Sequence, residues 1–336
     1  MDWLDDRLAS GRARARGGIE ISRNGRGSAG THGAAVRLLA SVRRTLAASE
    51  IARYVAVGLG GVLVGVAAYA RFIEPSWLEV RRLSIDVPSL PPALDGLVIA
   101  QLSDLHLDRS ALGDGLVLRA IRACNAARPD VVVLTGDYLA VREAADVLEQ
   151  VLARLDIRPV YAVFGNHDYR YGPRHRRALE RCFAGLGIDL LDNRAVAFRR
   201  NGATLWFVGV GDGYTSHDRL VEALRLIPPG ERPRILLTHY PDLLLDLSEG
   251  EFDLALAGHS HGAQIHLPVL SNIALARSAT RFASGLFVVR GIPLYVNRGL
   301  GTSGQRVRLL ARPELTLLSL RHPRREGACR GSKEQR

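Results

Sequence analysis

A mixed α/β domain behind one apolar N-terminal helix is the fold class this sequence predicts. Three features point to it. First, the runs RLSIDV, LVIAQLSD, VVVLTGD, YAVFGNHD, ILLTHYPD and LALAGHSH are short, apolar and bounded by polar residues, as buried strands are. Second, residues 119–127 and 144–155 between those runs carry helical spacing, whereas the chain after about residue 195 is mostly strand-like. Third, the seventeen residues Tyr54 to Ala70 hold no charge.

From the N-terminus, GRARARGG and RNGRGSAG are rich in Arg, Gly and Ser and hold too little apolar area to offset the entropy of ordering. Residues 1–50 are therefore expected to form a disordered basic tail. Residues 51–73 follow as a transmembrane anchor or uncleaved signal. The uncharged stretch is about 26 Å long as a helix, slightly under a hydrocarbon core of roughly 30 Å, and Arg53 and Arg71 can snorkel to the two surfaces. A buried core helix is the soluble alternative. An export signal is another, because Arg43 and Arg44 precede the stretch and Ala68-Tyr69-Ala70 resembles a cleavage site. Ten upstream Arg favour leaving the N-terminus in the cytoplasm, so the expectation is a single-pass cell-membrane protein with its larger part on the extracytoplasmic side.

The domain itself is expected over residues 82–320. AVAFRR and ATLWFVGV form a hairpin turned at Asn201-Gly202, since Asn-Gly suits a tight turn that needs positive φ. FASGLFVVRGIPLYVNRG and VRLLARPELTLLSL are expected as closing strand pairs, and 321–336 as a basic C-terminal tail.

With 336 residues, 47% hydrophobic and 24% charged, the chain can bury a sizeable core and is not disordered throughout. Its net charge of +11 sits at the ends. Residues 1–53 hold ten Arg against five acids and 321–336 hold six Lys/Arg against two, leaving 29 against 27 for the body. A nucleic-acid channel needs basic charge in the body, so no nucleic-acid partner is expected. Cys124, Cys182 and Cys329 lack CxxC spacing and indicate neither a disulfide framework nor a thiolate zinc site. GLGTSG lacks the GxxxxGK[ST] pattern and is not a nucleotide-binding loop.

Five strand-like runs end in metal-ligand residue types: Asp104 and His106 in SDLHL, Asp137 in TGD, Asn166, His167 and Asp168 in GNHD, His239 in THYPD, and His259 and His261 in GHSH. Strands sharing a sheet bring such ends to one edge, where α/β proteins keep their ligands. HxH on one strand would put both imidazoles on the same face. Carboxylates, imidazoles and one amide oxygen, with no thiolate, suit two divalent ions of intermediate hardness such as Mn²⁺, Fe²⁺ or Zn²⁺. Asp108, Asp212, His217 and Asp218 are expected as solvated or turn-capping residues, Arg170, Arg174, Arg176 and Arg177 with His175 as a solvated basic loop or a clamp for phosphate or headgroup, and Ile265–Phe282 as a candidate substrate-facing flap.

The ordered series D-x-H, G-D, G-N-H-D, H and G-H-x-H resembles the calcineurin-like metallophosphoesterase superfamily over about residues 82–320. DLHLD, GNHDY, THYPD and GHSHGAQ behind an anchor are similar to its bacterial membrane-associated branch. The resemblance implies a four-layer α/β/β/α sandwich of two mixed sheets. It implies that Asp104, His106 and His261 hold one metal, that Asn166, His239 and His259 hold another, and that Asp137 bridges both. His167 would be the general acid and Asp168 a supporting partner. The implied activity is phosphomonoester or phosphodiester hydrolysis by metal-activated water, with the anchor pointing to a lipid-linked or envelope substrate. A nuclease or cyclic-nucleotide phosphodiesterase uses the same motif order, and a non-catalytic anchored module could use the same fold. One position departs from the branch: Ala263 stands where GHTHGGQ has its second glycine.

Overall fold

The computed structural model describes residues 29–323, with two compact units, Met1–Leu63 and Val64–Arg336. Within the first, the described residues belong to helix α1 (Ala29–Ala68). Residues 36–76 are helical and apolar enough to cross a membrane by length and composition, and residues 54–63 are exposed throughout. The helix also starts at Ala29, well before Ile51. The stretch 29–50, expected as part of a disordered tail, is helical instead, because its Ala, Leu and Arg are all good helix formers. The rest of that tail, and residues 324–336 of the C-terminal one, lie outside the described residues.

The second unit holds two six-stranded sheets. The first contains β1 (Glu79–Asp86), β2 (Val98–Leu102), β3 (Val131–Thr135), β4 (Val160–Val163), β5 (Asp189–Leu190) and β12 (Glu314–Arg321), in the order β1-β12-β2-β3-β4-β5. The second contains β6 (Arg194–Arg200), β7 (Ala203–Gly209), β8 (Arg234–Leu237), β9 (Leu254–Ala257), β10 (Gly285–Val289) and β11 (Ile292–Val296), in the order β10-β11-β9-β8-β7-β6. Both are mixed. β2, β3 and β4 run parallel, as do β7, β8 and β9, while β12 is antiparallel to β2 and β6 to β7.

Alternation along each strand divides the core into three. Val131 and Val133 of β3 meet Ile235 and Leu237 of β8 between the sheets. Val132 and Leu134 face the opposite way, towards α2 (Ala111–Ala127), α3 (Ala145–Leu152) and α5 (Pro173–Gly185). Leu236 of β8 and Ala255 of β9 pack on the far side with Ala223 of α6 (Leu220–Leu224) and with Leu243 and Leu244. The result is the expected α/β/β/α sandwich, because strands buried on both faces must be covered on both.

Local details differ from expectation in two places. Helix α2 begins eight residues before Arg119, since Ser110 Oγ accepts from Gly113 N and caps it despite the weak helical pattern of LGDGL. The hairpin turns where expected, with Asn201 and Gly202 both at positive φ. VRLLARP, however, is not a strand. Arg308 is fully buried, its N–H donates to Ala70 O, and β12 pairs with β1 and β2 instead.

Candidate metal centre

The parallel direction of β2, β3, β4, β8 and β9 brings their C-terminal ends to one edge, and every candidate ligand lies just beyond one of those ends. The two sheets are stitched there. Gln101 Nε2 donates to Ala257 O at 2.9 Å, and His239 Nδ1 bonds Thr135 O at 2.7 Å.

Two groups of donors form on that edge. His261 Nε2 lies 3.4 Å from Asp104 Oδ1 and 3.1 Å from His106 Nε2. Asn166 Oδ1 lies 3.1 Å from both His239 Nε2 and His259 Nδ1, and those two nitrogens are 3.3 Å apart. Asp137 Oδ2 stands between the groups, 3.5 Å from His106 Nε2 and 3.3 Å from His239 Nε2. All seven candidate ligands are thus brought together on one edge, with the Asp137 carboxylate between the other two groups of donors.

Side-chain orientation follows from hydrogen bonds on the outer side of the rings. His239 Nδ1–H donates to Thr135 O and His259 Nε2–H to Ser278 O, so His239 Nε2 and His259 Nδ1 face inward as the nitrogens whose lone pairs would bind metal. Ser103 Oγ donates to Asp104 Oδ2 at 2.6 Å, and His259 N approaches the same carboxylate. Asp168 is buried and accepts from the backbone N–H of Asp137, Tyr138 and Gly165, so it pins the loops that carry Asp137 and Asn166.

Five of the seven ligand candidates, Asp104, His106, Asp137, His259 and His261, sit at positive φ between 41° and 74°. For residues other than glycine this left-handed backbone is costly, and its concentration at one site marks function rather than stability. It also changes one expectation. His259 and His261 lie beyond β9 on a loop, not on a strand, and their rings enter different groups rather than sharing a face. The same loop explains Ala263, whose φ of 62° is the conformation glycine takes without cost.

The electrostatics suit a cation. Burial holds His106 down to about 4. Burial also holds His261 well below the imidazole range, with His106 adding to the effect, and it lowers His259, with His239 adding. Burial pushes Asp104 up to about 6 against the pull of His239. Burial opposes ionisation of Asp137, but His239, His106 and His167 together hold its carboxyl well below the usual range. Burial opposes a proton on His239 too, yet Asp137 keeps it well above the ordinary value. The Nε2 atoms of His106 and His261 lie 3.1 Å apart and within 3.5 Å of the Asp137 and Asp104 carboxylates respectively, the convergence of donors that a cation's ligands require. The donor set therefore fits divalent metal, with no thiolate present.

His167 is half-buried at the rim, its ring edge-on to His106 with centroids 4.8 Å apart. A cleft of about 170 Å³ opens here, bordered by His167, Asn166, His259, Tyr214, Arg277 and Ser278. Sequence reading missed Tyr214 and Tyr240, whose rings each lie 5.3 Å from that of His259. Tyr214 follows the C-terminal end of β7, parallel to β8, so the strand-end rule applied to GDGYT pointed to it. Asp212 in that motif caps Thr215, as a turn residue does, but is fully buried rather than solvated. The expected basic loop is helical instead, Arg174, Arg176 and Arg177 lying on α5, and His175 is buried against Tyr171. Arg308 was also missed. Its guanidinium serves the carbonyls of Arg298, Gly299 and Ala311, and burial pushes it down to about 10.

The calcineurin-like phosphoesterase family model matches residues 97–263, which carry all of these side chains. The uncharacterized metallophosphoesterase YkoQ of Bacillus subtilis is 30% identical over 71% of this chain and 89% of its own. The chain belongs to the calcineurin-like phosphoesterase family. It is a metal-dependent phosphoric ester hydrolase. Phosphodiesterase YaeI of Escherichia coli is 29% identical over 75% of this phosphoesterase and 92% of its own chain. UDP-2,3-diacylglucosamine pyrophosphatase LpxG of Chlamydia trachomatis is 29% identical over 79% and 98%.

Proposed function

We propose that this phosphoesterase is a membrane-anchored dimetal enzyme that cleaves a phosphoester carried by a lipid or another envelope component. The observation that carries the reading is the convergence of seven donors into two groups sharing Asp137. Asp104, His106 and His261 would hold one ion, Asn166, His239 and His259 the other, and Asp137 both. When bound, two divalent ions neutralise phosphate charge and acidify water at neutral pH.

The chain's own residues supply the rest. Thr135 O and Ser278 O fix the tautomers of His239 and His259. Asp168 fixes the loop of Asp137. His167 stands at the cleft rim, on the open side of the donors, where it would hand a proton to the departing alkoxide. Arg277 faces the same cleft and would take a phosphate oxygen. Support for a lipid-linked substrate comes from the apolar helix and from similarity to a pyrophosphatase named for a diacylated sugar nucleotide. The uncharged stretch 54–70, with ten Arg before it, also supports a single pass with the catalytic unit outside the cytoplasm.

The test is a phosphoester screen on the full chain with defined Mn²⁺, Fe²⁺ or Zn²⁺ loading, including lipid headgroup esters. Asp137→Asn and His239→Ala are expected to lose both metal and hydrolysis. Protein that takes up metal yet leaves every activated aryl phosphate intact would instead be a non-catalytic module. Preference for oligonucleotides with a steep salt dependence would make it a nuclease.

A further inference from the structure

The uncharged stretch of the candidate membrane span ends at Ala70, and Ala70 is built into the catalytic unit. Its carbonyl accepts from Arg308 N at 2.9 Å. Four residues on, buried Glu74 accepts from Ala311 N at 2.6 Å. The segment between those anchor points continues across the surface. Leu309 N donates to Gln264 O and His266 N to Leu309 O, both at 2.8 Å, and the chain then enters α7 (Pro268–Arg277). Ala70, Leu309 and the start of α7 are therefore joined by an unbroken series of backbone bonds.

Large apolar side chains stand exposed along that series. Phe72 and Ile73 follow Ala70, Leu310 follows Leu309, and Val269, Leu270 and Ile273 lie on α7. Val269 is 72% exposed and Leu310 63%. A water-soluble surface has no reason to gather such residues in one place. Arg71 and Arg277, both exposed, add the positive charge that anionic headgroups attract. The other end of α7 reaches the metal centre. Arg277 and its neighbour Ser278 border the cleft, and Ser278 O accepts from His259 Nε2 at 2.8 Å.

We infer that α7, Leu310 and Phe72–Ile73 form a membrane-docking face that rests in the headgroup layer of the bilayer crossed by residues 54–70. This rests on the membrane-anchored reading above and adds to it. A chain that leaves the hydrocarbon at Ala70 keeps whatever is bonded to Ala70 at the same depth, and Arg308 to Leu310 and the α7 entry are so bonded. Ten helical residues span about 15 Å, so α7 leads from the lipid surface to the cleft rim. A phosphoester on a lipid headgroup then reaches the donors while its acyl chains stay in the bilayer.

The experiment measures depth. The full chain, with Cys124→Ala, Cys182→Ser and Cys329→Ser, is reconstituted in phosphatidylcholine–phosphatidylglycerol vesicles. Single cysteines then carry an environment-sensitive fluorophore, and nitroxide lipids quench it. Leu270→Cys and Leu310→Cys are expected about 5–10 Å into the headgroup and acyl boundary, the depth of interfacial helices. Both are expected to be quenched severalfold more than Glu231→Cys, which precedes β8 and so lies at the sheet edge away from the cleft. Val62→Cys reports the anchor. If position 62 is quenched while 270 and 310 match 231, the docking face is wrong and the anchor stands. If 62 is not quenched, the anchor falls and takes the docking face with it. A 270 label that is unquenched but shifts to the blue with protein concentration would identify a second copy as the occupant and overturn the bilayer assignment.

Discussion

Replacing Asp168 by alanine isolates what holds the metal centre in place. The Asp168 carboxylate accepts from Gly165 N and Asp137 N at 2.8 Å and from Tyr138 N at 3.1 Å, and it is buried. Asp168→Ala leaves three buried amides without an acceptor. Each such loss costs about 1–3 kcal/mol, so the sum runs from about 3 to 9 kcal/mol, and water entering the vacated space favours the lower end. At about 2–4 °C per kcal/mol for a domain of this size, the metal-free protein should melt roughly 6–12 °C lower. Asp168→Asn keeps one oxygen but turns an N–H towards a donor, and should fall between the two. The assay is thermal denaturation of the full chain in detergent with chelator, beside elemental analysis of metal-loaded protein. Because Asp168 holds the backbone of Asp137, metal content should drop in both variants. A metal-free Asp168→Ala protein that melts within about 2 °C of the parent and binds a full metal complement refutes the positioning role.

Gly258→Ala should abolish metal uptake, because an added Cβ would overlap Ser103 Oγ and the Asp104 carboxylate; elemental analysis finding normal loading would refute the close approach. His167→Ala should keep both metals and slow ester cleavage by about 10²–10⁴-fold with a poor leaving group, but far less with a nitrophenolate. Equal losses on the two substrates would remove His167 from the acid role. Metal binding should release protons near neutral pH, since the metal-free site holds His239 well above its ordinary value and a ligand nitrogen must be bare. The sign follows: apparent affinity rises with pH and weakens as His239 is protonated. Calorimetry in buffers of different ionisation enthalpy measures the protons released, and a count of zero with pH-independent affinity would contradict it.

Much of the site was legible along the chain. Ligand types recur at the ends of apolar runs, and the order D-x-H, G-D, G-N-H-D, H, G-H-x-H survives intact in sequence. Strand direction then does the gathering, since parallel β2, β3 and β4 must finish on the same edge. Helix α2 was only half legible because Gly113 and Gly115 dilute its pattern, while its cap depends on one hydroxyl. Tyr214 and Tyr240 also follow strand ends, but tyrosine is not among the metal-ligand types that single those ends out.

The amino-acid sequence by itself determined the alternation that buries both faces of each strand, the uncharged run ending at Ala70, and the chemistry of the donors. Those are local properties, set by period and residue type within a single segment. Only the tertiary structure decided that Asp104, His106, Asp137, His259 and His261 would bend into left-handed backbone, that His259 and His261 would sit on a loop beyond β9, and that Arg308 would be buried against carbonyls. A costly torsion or a buried cation persists only when neighbours from distant parts of the chain hold it there. No short window of sequence contains those neighbours.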